Sequence, residues 1–248
     1  MEQIEQLAQI LRESRQIVFF GGAGVSTESG IPDFRSANGL WNEKLQCKLS
    51  PEQLVSHTYY ERFPEEFFEF YKEKLVYPGA RPNACHLALV KLEQLGRLRA
   101  VVTQNIDGLH QEAGSKTVYE LHGSVKRNYC TGCGAFYDDR FVMSQPGVPY
   151  CPKCGAVVKP DVVLYEEPLD SEVMYDAIDA ISSADTLIIG GTSLVVYPAA
   201  GIINYFGGRR LVLINISRTP ADNRASLAIH EPIGKVMGEA VALLEAEA

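Results

Sequence analysis

A glycine-rich turn that directly follows a short apolar segment is the feature that most constrains this chain. Residues 17–20 predict a buried strand, and three glycines follow it closely: Gly21, Gly22 and Gly24. Glycine adopts tight backbone dihedrals and lets main-chain N–H groups approach a ligand closely. A helix beginning at Ser26 or Thr27 would direct further N–H groups at an anion such as pyrophosphate. The third glycine of the dinucleotide fingerprint is missing at Thr27, so an ordinary strand-to-helix turn is the alternative.

Composition and charge argue against several classes of protein. The 248 residues are 46% hydrophobic and 22% charged, which predicts one large globular domain or one domain with a smaller lobe. A net charge of −8 argues against a general nucleic-acid binder and suits a basic partner such as a lysine-bearing segment. The charged start has no signal-peptide core, and Pro198 and two glycines interrupt the longest apolar run, residues 186–203. We therefore expect a soluble, cytoplasmic protein with neither nucleic-acid nor membrane partners.

Predicted helices and strands alternate along the chain. After residues 17–20, four further strands are predicted: Ala100–Thr103, Val118–Leu121, Thr186–Ile189 and Leu211–Ile214. Helices are predicted around Ile4–Leu11, after a capping box at Ser50–Gln53, around Phe67, Phe68 and Tyr71, from Asn83 to a stop at Gly96, at Ser171–Ile181, from Pro198 and at Gly234–Leu244. This alternation is typical of an α/β fold with a parallel sheet.

Polar residues follow each of the five predicted strands. Besides the glycine turn, the clusters are Gln104-Asn105-Ile106-Asp107, His122-Gly123, Gly191-Thr192-Ser193 and Asn215-Ile216-Ser217. An open parallel sheet binds its ligands in the crevice beyond the carboxyl ends of its strands. A single cluster could be a capped turn, but five at equivalent positions favour a site of dinucleotide size.

Two pairs of cysteines give the strongest local signal for a metal site. Cys130-x-x-Cys133 and Cys151-x-x-Cys154 are separated by 17 residues, a spacing typical of four-cysteine zinc sites. Four thiolates leave zinc no open position, so the site is expected to be structural. Disulfides are the alternative, and they are disfavoured in a cytoplasmic protein.

Together these motifs resemble those of the sirtuin family of NAD-dependent protein deacylases. The motifs are Gly22-Ala23-Gly24-Val25-Ser26, Gly30-Ile31-Pro32-Asp33-Phe34-Arg35, Thr103-Gln104-Asn105-Ile106-Asp107, His122-Gly123 and the four cysteines. The resemblance implies an α/β fold: a Rossmann-like parallel sheet with helices on both faces, plus a small zinc-containing lobe. Residues 1–35, 81–124 and 162–248 would form the NAD-binding domain. A helical insertion, residues 36–80, and a zinc module, residues 125–161, would form the small lobe.

The resemblance also implies an activity and roles for individual residues. The protein would be an NAD-dependent protein-lysine deacetylase that releases nicotinamide and O-acyl-ADP-ribose. His122 would be the general base, since imidazole titrates near neutrality, although a capping or core histidine is the alternative. Asn105 would orient the ribose and a water, Asp107 would bind the nicotinamide carboxamide, and Phe34 would shield the reactive carbon. NAD contacts are implied at Ala23, Thr27, Asp33, Phe34, Arg35, Gln104, Asn105, Ile106, Asp107, Thr192, Ser193, Asn215 and Ile233.

The same resemblance implies that an acyl-lysine protein or peptide binds between two extended segments. Residues 163–165 and 195–197 would hold the substrate backbone as an added β-strand. The implied substrate contacts are Val163, Leu164, Tyr165 and Val196. One structural zinc per chain is implied at Cys130, Cys133, Cys151 and Cys154. Sirtuins commonly have glycine where this chain has Glu166, so the chain departs from the family pattern at the peptide groove.

Other activities remain as alternatives. A protein mono-ADP-ribosyltransferase of the same family would share the site. A desuccinylase-type deacylase would bind the acidic acyl group through a tyrosine and an arginine three residues later, where this chain has Tyr71 and Lys74. Lysine lacks the planar fork of arginine, so we expect a preference for acetyl over succinyl. A dehydrogenase would need an acidic residue after a second strand, which is not found, and a non-catalytic zinc-ribbon protein would not need His122 or Asn105.

Overall fold

The computed structural model of the chain describes residues 2–34, 39 and 49–246, so Arg35 lies outside the described residues. The strands are β1 (Ile17–Gly21), β2 (Leu98–Thr103), β3 (Val118–Glu120), β4 (Gly123–Cys130), β5 (Phe136–Tyr137), β6 (Val158–Val162), β7 (Thr186–Gly190), β8 (Arg210–Ile214) and β9 (Leu227–Ile229). The α-helices are α1 (Glu2–Glu13), α2 (Pro51–Leu54), α3 (His57–Arg62), α4 (Pro64–Lys74), α5 (Ala84–Gln94), α6 (Leu109–Ala113), α7 (Asp139–Ser144), α8 (Ser171–Ser183) and α9 (Ile233–Ala246). No helix within these residues is long and apolar enough to cross a bilayer.

Six strands form a parallel sheet in the order β3-β2-β1-β7-β8-β9. Counted along the chain within this sheet, the order is 3-2-1-4-5-6, that of a Rossmann-type doubly wound fold. From β1, the chain adds β2 and β3 on one side. It then crosses to the other side of β1, where it adds β7, β8 and β9. The reversal between β1 and β7 opens a crevice at their carboxyl ends, which is where such sheets bind ligands.

Helices cover both faces of this sheet, as the sequence predicted. Successive strand residues point to opposite faces, so Phe19 and Phe20 of β1 belong to different cores. Phe19 packs in the core formed with α1, α5 and α9, and Phe20 packs in the core formed with α8 and the 3₁₀ segment Ala199–Tyr205. Because β1 and β7 are buried on both faces, each contains an uninterrupted apolar run in the sequence, residues 17–20 in β1 and 187–189 in β7.

A second, antiparallel sheet in the order β5-β4-β6 carries the cysteine-bearing segment. Its buried valines share one hydrophobic core with aromatic residues of α3 and α4: Tyr60, Phe67, Phe68 and Tyr71. The rings of Phe67 and Phe68 meet edge to face, with centroids 5.3 Å apart. Tyr71 is only 1% exposed, so this aromatic face is core, as the sequence predicted, and Tyr71 does not face solvent.

Both predicted helix caps are confirmed, but one helix that was considered and one that was predicted are 3₁₀ segments. Ser50 and Gln53 form the reciprocal bonds of a capping box, and the Asn83 side chain accepts from the Cys85 N–H. No α-helix begins at Ser26 or Thr27, where two 3₁₀ turns, Ala23–Val25 and Thr27–Ser29, follow each other. The helix expected from Pro198 is likewise a 3₁₀ segment. In addition, β9 and the small antiparallel sheet were not predicted from the sequence.

Two buried histidines make acid destabilisation a testable property of the fold. His86 and His110 are 0% and 1% exposed, and their ring centroids are 4.7 Å apart. Burial lowers the pKa of His86 from 6.5 to about 4 and also lowers that of His110. As the pH falls below 6.5, the two histidines therefore bind protons in the unfolded chain but not in the folded chain. Stability should fall as the pH drops from 6.5 towards 4, by about 3 kcal/mol for His86.

Urea unfolding between pH 7.5 and pH 4.5 measures this effect. The His86→Asn variant should lose less stability on acidification than the wild-type chain over this range. Equal losses in both proteins would contradict the prediction, since carboxylate protonation is common to the two.

Candidate active site

A cavity of about 590 Å³ lies at the carboxyl edge of the large sheet. All five predicted polar clusters contribute to its lining: Gly22, Ala23 and Gly24; Gln104 to Asp107; His122; Gly191 to Ser193; and Asn215 to Ser217. Every described residue predicted to contact NAD or substrate lines it as well, while Arg35 lies outside the described residues. Its volume is typical of a pocket for a cofactor or small ligand.

The glycine turn is held against the loop that follows β7. The Gly24 N–H donates to the Gly191 carbonyl at 2.8 Å. A Cβ on Gly24 would lie 2.8 Å from the Gly191 Cα, and one on Gly22 would lie 2.7 Å from the Thr192 Cβ. Both positions need glycine because the two loops are in contact, and this contact shapes the floor of the cavity.

Ser26 connects two of the predicted site residues in a buried hydrogen-bond network. The Asn105 side-chain amide donates to the Ser26 hydroxyl at 3.0 Å, and that hydroxyl donates to the Asp107 carboxylate at 2.7 Å. The Leu109 N–H donates to the other oxygen of Asp107 at 2.9 Å. Burial raises the pKa of Asp107, although these hydrogen bonds oppose the shift. The network fixes the orientation of both side chains at the cavity wall.

His122 has the geometry of a neutral base. Its Nδ1 lies 3.0 Å from the Gln104 carbonyl oxygen, which can only accept, so Nδ1 carries the proton and Nε2 has a free lone pair. Burial lowers the pKa of His122 below its ordinary value. The ring is therefore uncharged at neutral pH and able to accept a proton at Nε2. Gly123 follows with φ +71°, and a Cβ there would lie 2.0 Å from the Asp161 carbonyl oxygen.

The two segments expected to hold a peptide as strands are not strands. Both Leu164 backbone groups are already bonded to Glu167: the N–H to its carboxylate at 2.9 Å, and the carbonyl to its N–H at 3.0 Å. Residues 195–197 are likewise irregular. The resemblance implied two strands here, but in this structure Tyr165 alone takes part in an isolated bridge, with Ser56, although the predicted side chains do line the cavity.

The four cysteines converge at a site apart from the cavity. Their sulfur atoms all lie within 4.8 Å of one another, with 3.3 Å between Cys130 and Cys154 and 3.7 Å between Cys133 and Cys151. These distances exceed a disulfide bond but suit a tetrahedral ion with metal–sulfur bonds of about 2.3 Å. The Tyr137 hydroxyl lies 3.0 Å from the Cys151 sulfur and can donate a hydrogen bond to a thiolate there. The four thiols can therefore hold a metal ion.

Comparison with known families decides the identity of this fold. The model of the Sir2 family matches residues 22–198, which include the glycine turn, His122 and all four cysteines. The chain belongs to the Sir2 family.

Individual relatives resemble this Sir2-family chain over almost its whole length. An NAD-dependent protein deacetylase of Clostridium perfringens (strain 13 / Type A) is 67% identical over 241 residues, which cover 97% of this chain and 99% of the relative. A solved Sir2 enzyme covers 100% of this chain and 99% of its own, with a TM-score of 0.89 and 39% identity. A Sir2 structure with a deacetylated peptide and 3′-O-acetyl ADP-ribose has a TM-score of 0.86 and 37% identity, covering 97% and 98%.

Sequence reasoning missed Ser26 as a site residue of this Sir2-family chain. Its position in Gly22-Ala23-Gly24-Val25-Ser26 was part of the motif, but nothing local shows that its hydroxyl meets Asn105 and Asp107. The contact joins residues that are 79 and 81 positions apart in the chain. The contact becomes visible only in the fold, where β1 and β2 are adjacent and the residues that follow them meet.

Proposed function

We propose that this chain is an NAD-dependent protein-lysine deacetylase that releases nicotinamide and O-acyl-ADP-ribose. The observation that carries the proposal is that His122, with a free Nε2, and the Asn105–Ser26–Asp107 network line one cavity of cofactor size. The name of the C. perfringens relative supports the activity. The acetyl-ADP-ribose and deacetylated peptide in a related Sir2 structure support the products.

Several residues at the cavity and its wall then have distinct roles in the reaction. NAD supplies an electrophilic anomeric carbon, to which the acyl oxygen of the substrate adds as nicotinamide leaves. His122 accepts a proton from a ribose hydroxyl at Nε2, which is unprotonated because Nδ1 donates to Gln104. Asn105, held by Ser26, orients the ribose and a water. Asp107 binds the nicotinamide carboxamide, and Phe34 covers the reactive carbon.

The remaining cavity residues hold the two substrates. The other NAD contacts are assigned to Ala23, Thr27, Asp33, Arg35, Gln104, Ile106, Thr192, Ser193, Asn215 and Ile233. The acyl-lysine peptide is assigned to the walls at Val163, Leu164, Tyr165 and Val196, all of which line the cavity. A net charge of −8 suits a lysine-bearing partner, because opposite charge favours encounter.

The metal is assigned as one structural zinc per chain, since four thiolates complete its coordination. The boundaries proposed above then separate an NAD-binding domain (1–35, 81–124 and 162–248) from a small lobe (36–80 and 125–161). We place the enzyme in the cytoplasm, because four thiolate ligands persist in a reducing compartment and NAD is available there.

Incubation of the purified full chain with NAD and an acetyl-lysine peptide tests the activity. Mass spectrometry should show the deacetylated peptide, nicotinamide and O-acetyl-ADP-ribose in equal amounts. Labelled ADP-ribose attached to protein, with the peptide still acetylated, would instead indicate a mono-ADP-ribosyltransferase. An unchanged peptide with no acetyl-ADP-ribose would contradict the proposal.

The structure bears on acyl choice through Tyr71 and Lys74. Lys74 lines the cavity, but Tyr71 is 1% exposed and is not among the lining residues. At these two positions the cavity has an ammonium, which pairs with Glu73 at 3.3 Å, and neither a tyrosine hydroxyl nor a guanidinium fork for an acidic acyl group. We predict a higher kcat/KM for an acetyl-lysine peptide than for the matched succinyl-lysine peptide. A faster succinyl reaction that disappears in Lys74→Ala would contradict this.

A further inference from the structure

The wall of the cavity at residues 164–167 is a turn with a strained backbone. The Leu164 carbonyl accepts from the Glu167 N–H at 3.0 Å, and Glu166, at the third position of the turn, has φ +77°. Glycine adopts this conformation readily, whereas a residue with a Cβ does so at a cost. Within residues 2–34 and 49–246, Leu194 is the only other non-glycine residue with positive φ. A strained residue of this kind persists where its surroundings hold it in place.

The Glu166 side chain accounts for how the turn is held. Its Oε2 accepts from the Thr58 backbone N–H at 2.8 Å and from the Thr58 hydroxyl at 2.7 Å. Both donors belong to the second residue of α3, in the helical insertion. Hydrogen bonds to an ionised carboxylate are stronger than those between neutral groups, and these two lower the pKa of Glu166. The charged side chain therefore fixes the turn to α3.

Backbone contacts connect the same two segments. The Tyr165 N–H donates to the Val55 carbonyl at 3.0 Å, and the Tyr165 carbonyl accepts from the His57 N–H at 2.9 Å. The Glu167 carboxylate also lies 2.9 Å from Nδ1 of His57. The position of this wall is thus set by the helical insertion, and Glu166 contributes the side chain that joins them at the strained residue.

We propose that Glu166 is a positioning residue for the acyl-lysine peptide, acting through the backbone of residues 163–165. The proposal rests on the proposed function and deepens it. Loss of the contact with Thr58 lets the turn relax from its left-handed conformation, which displaces the wall that the peptide contacts. The residues after β1, β2, β7 and β8 that would hold NAD do not depend on this turn. Peptide binding is therefore weakened, while NAD binding is preserved. The wall also contacts the proposed base, because the Val163 N–H donates to the His122 carbonyl at 3.0 Å, so kcat is measured separately.

A series of substitutions at one position separates the hydrogen bonds from the strain. Glu166→Gln keeps an oxygen that can accept from Thr58 but loses the charge, so its peptide KM should rise much less than that of Glu166→Ala. Glu166→Ala loses both hydrogen bonds but keeps a Cβ at the left-handed position, so the turn relaxes. Its peptide KM should rise by up to about tenfold, because two charge-assisted bonds are lost but both are weakened by solvent exposure. Glu166→Gly loses the bonds but relieves the strain, so its KM should lie between the other two.

Two further variants test whether Thr58 is the partner of Glu166 and whether the rise in peptide KM is specific to Glu166. Thr58→Val removes only the hydroxyl donor and should raise the peptide KM less than Glu166→Ala. In the Glu166→Ala background it should add nothing, because the two residues share one interaction. Glu172→Ala, an exposed glutamate at the start of α8, is the matched control and should leave the peptide KM unchanged.

The readouts are the KM for peptide, the KM for NAD and kcat of the full chain, with thermal unfolding as a check of folding. Binding of a fluorescent acetyl-lysine peptide in the presence of ADP-ribose gives the same ranking as a Kd, independently of turnover. An inactive wild-type protein would thus overturn the proposed function without removing this test. A peptide KM or Kd in Glu166→Gln as high as in Glu166→Ala would overturn the positioning role, and so would wild-type values in Glu166→Ala.

Discussion

Replacing His122 with alanine is expected to lower deacylation turnover by about 10²- to 10⁴-fold, the contribution typical of general acid–base catalysis. The reason is the free Nε2 of a ring whose Nδ1 bonds to Gln104 at the cavity wall. NAD affinity should change little, because the residues after β1, β2, β7 and β8 remain in place. Steady-state kinetics with an acetyl-lysine peptide and calorimetric titration with NAD measure the two properties.

A second substitution separates loss of the base from loss of packing. His122→Phe keeps a planar ring in the half-buried position but has no group that accepts a proton. Both variants should be inactive and folded if His122 is the base. Retention of more than about a tenth of the wild-type turnover in His122→Ala would remove His122 from this role, given the usual size of the effect.

The pH dependence of kcat/KM should report the same group. Burial lowers the pKa of His122 from its ordinary 6.5, and a general base works only when unprotonated. The acid limb of the profile should therefore be centred below pH 6.5. An acid limb centred above pH 6.5 would mean that another group carries the proton.

Local patterns sufficed to predict the parallel sheet and the cluster of four cysteines. The strands β1 and β7 are largely apolar because both of their faces are buried. Each ends in glycine, and the change from apolar residues to glycine shows in the sequence where the carboxyl end of the strand lies. Cysteine spacing is equally local, since Cys130 and Cys133 lie on one turn and Cys151 and Cys154 on another. In each case a few adjacent residues determine the geometry.

Features that depend on distant contacts could not be predicted in this way. The network through Ser26 and the bond between Glu166 and Thr58 join residues that are 79 and 108 positions apart. The family resemblance implied a strand at residues 163–165, but the Leu164 backbone groups bond to Glu167 instead. The first two of these features depend on hydrogen bonds between distant residues, which neighbouring residues in the sequence do not reveal.

Substitution of a single cluster cysteine is expected to remove the metal and unfold the small antiparallel sheet. The purified wild-type chain should contain one tightly held zinc, because four sulfurs lie within 4.8 Å of one another. Cys130→Ala leaves three ligands, and metal binding at such sites contributes directly to folding free energy. The loss should extend to α4, because its aromatic residues share a core with β4 and β6.

Elemental analysis and circular dichroism of Cys130→Ala measure the two consequences together. Cys85→Ala is the matched control, since Cys85 is a buried cysteine outside the cluster and its loss should leave the zinc content unchanged. The small sheet supplies residues 163–165 as the continuation of β6, so Cys130→Ala should also lose peptide binding. NAD binding should suffer less, because the parallel sheet has its own cores on both faces. A wild-type protein without zinc, or a Cys130→Ala protein that is metal-free and as stable as wild type, would overturn the structural role of the metal.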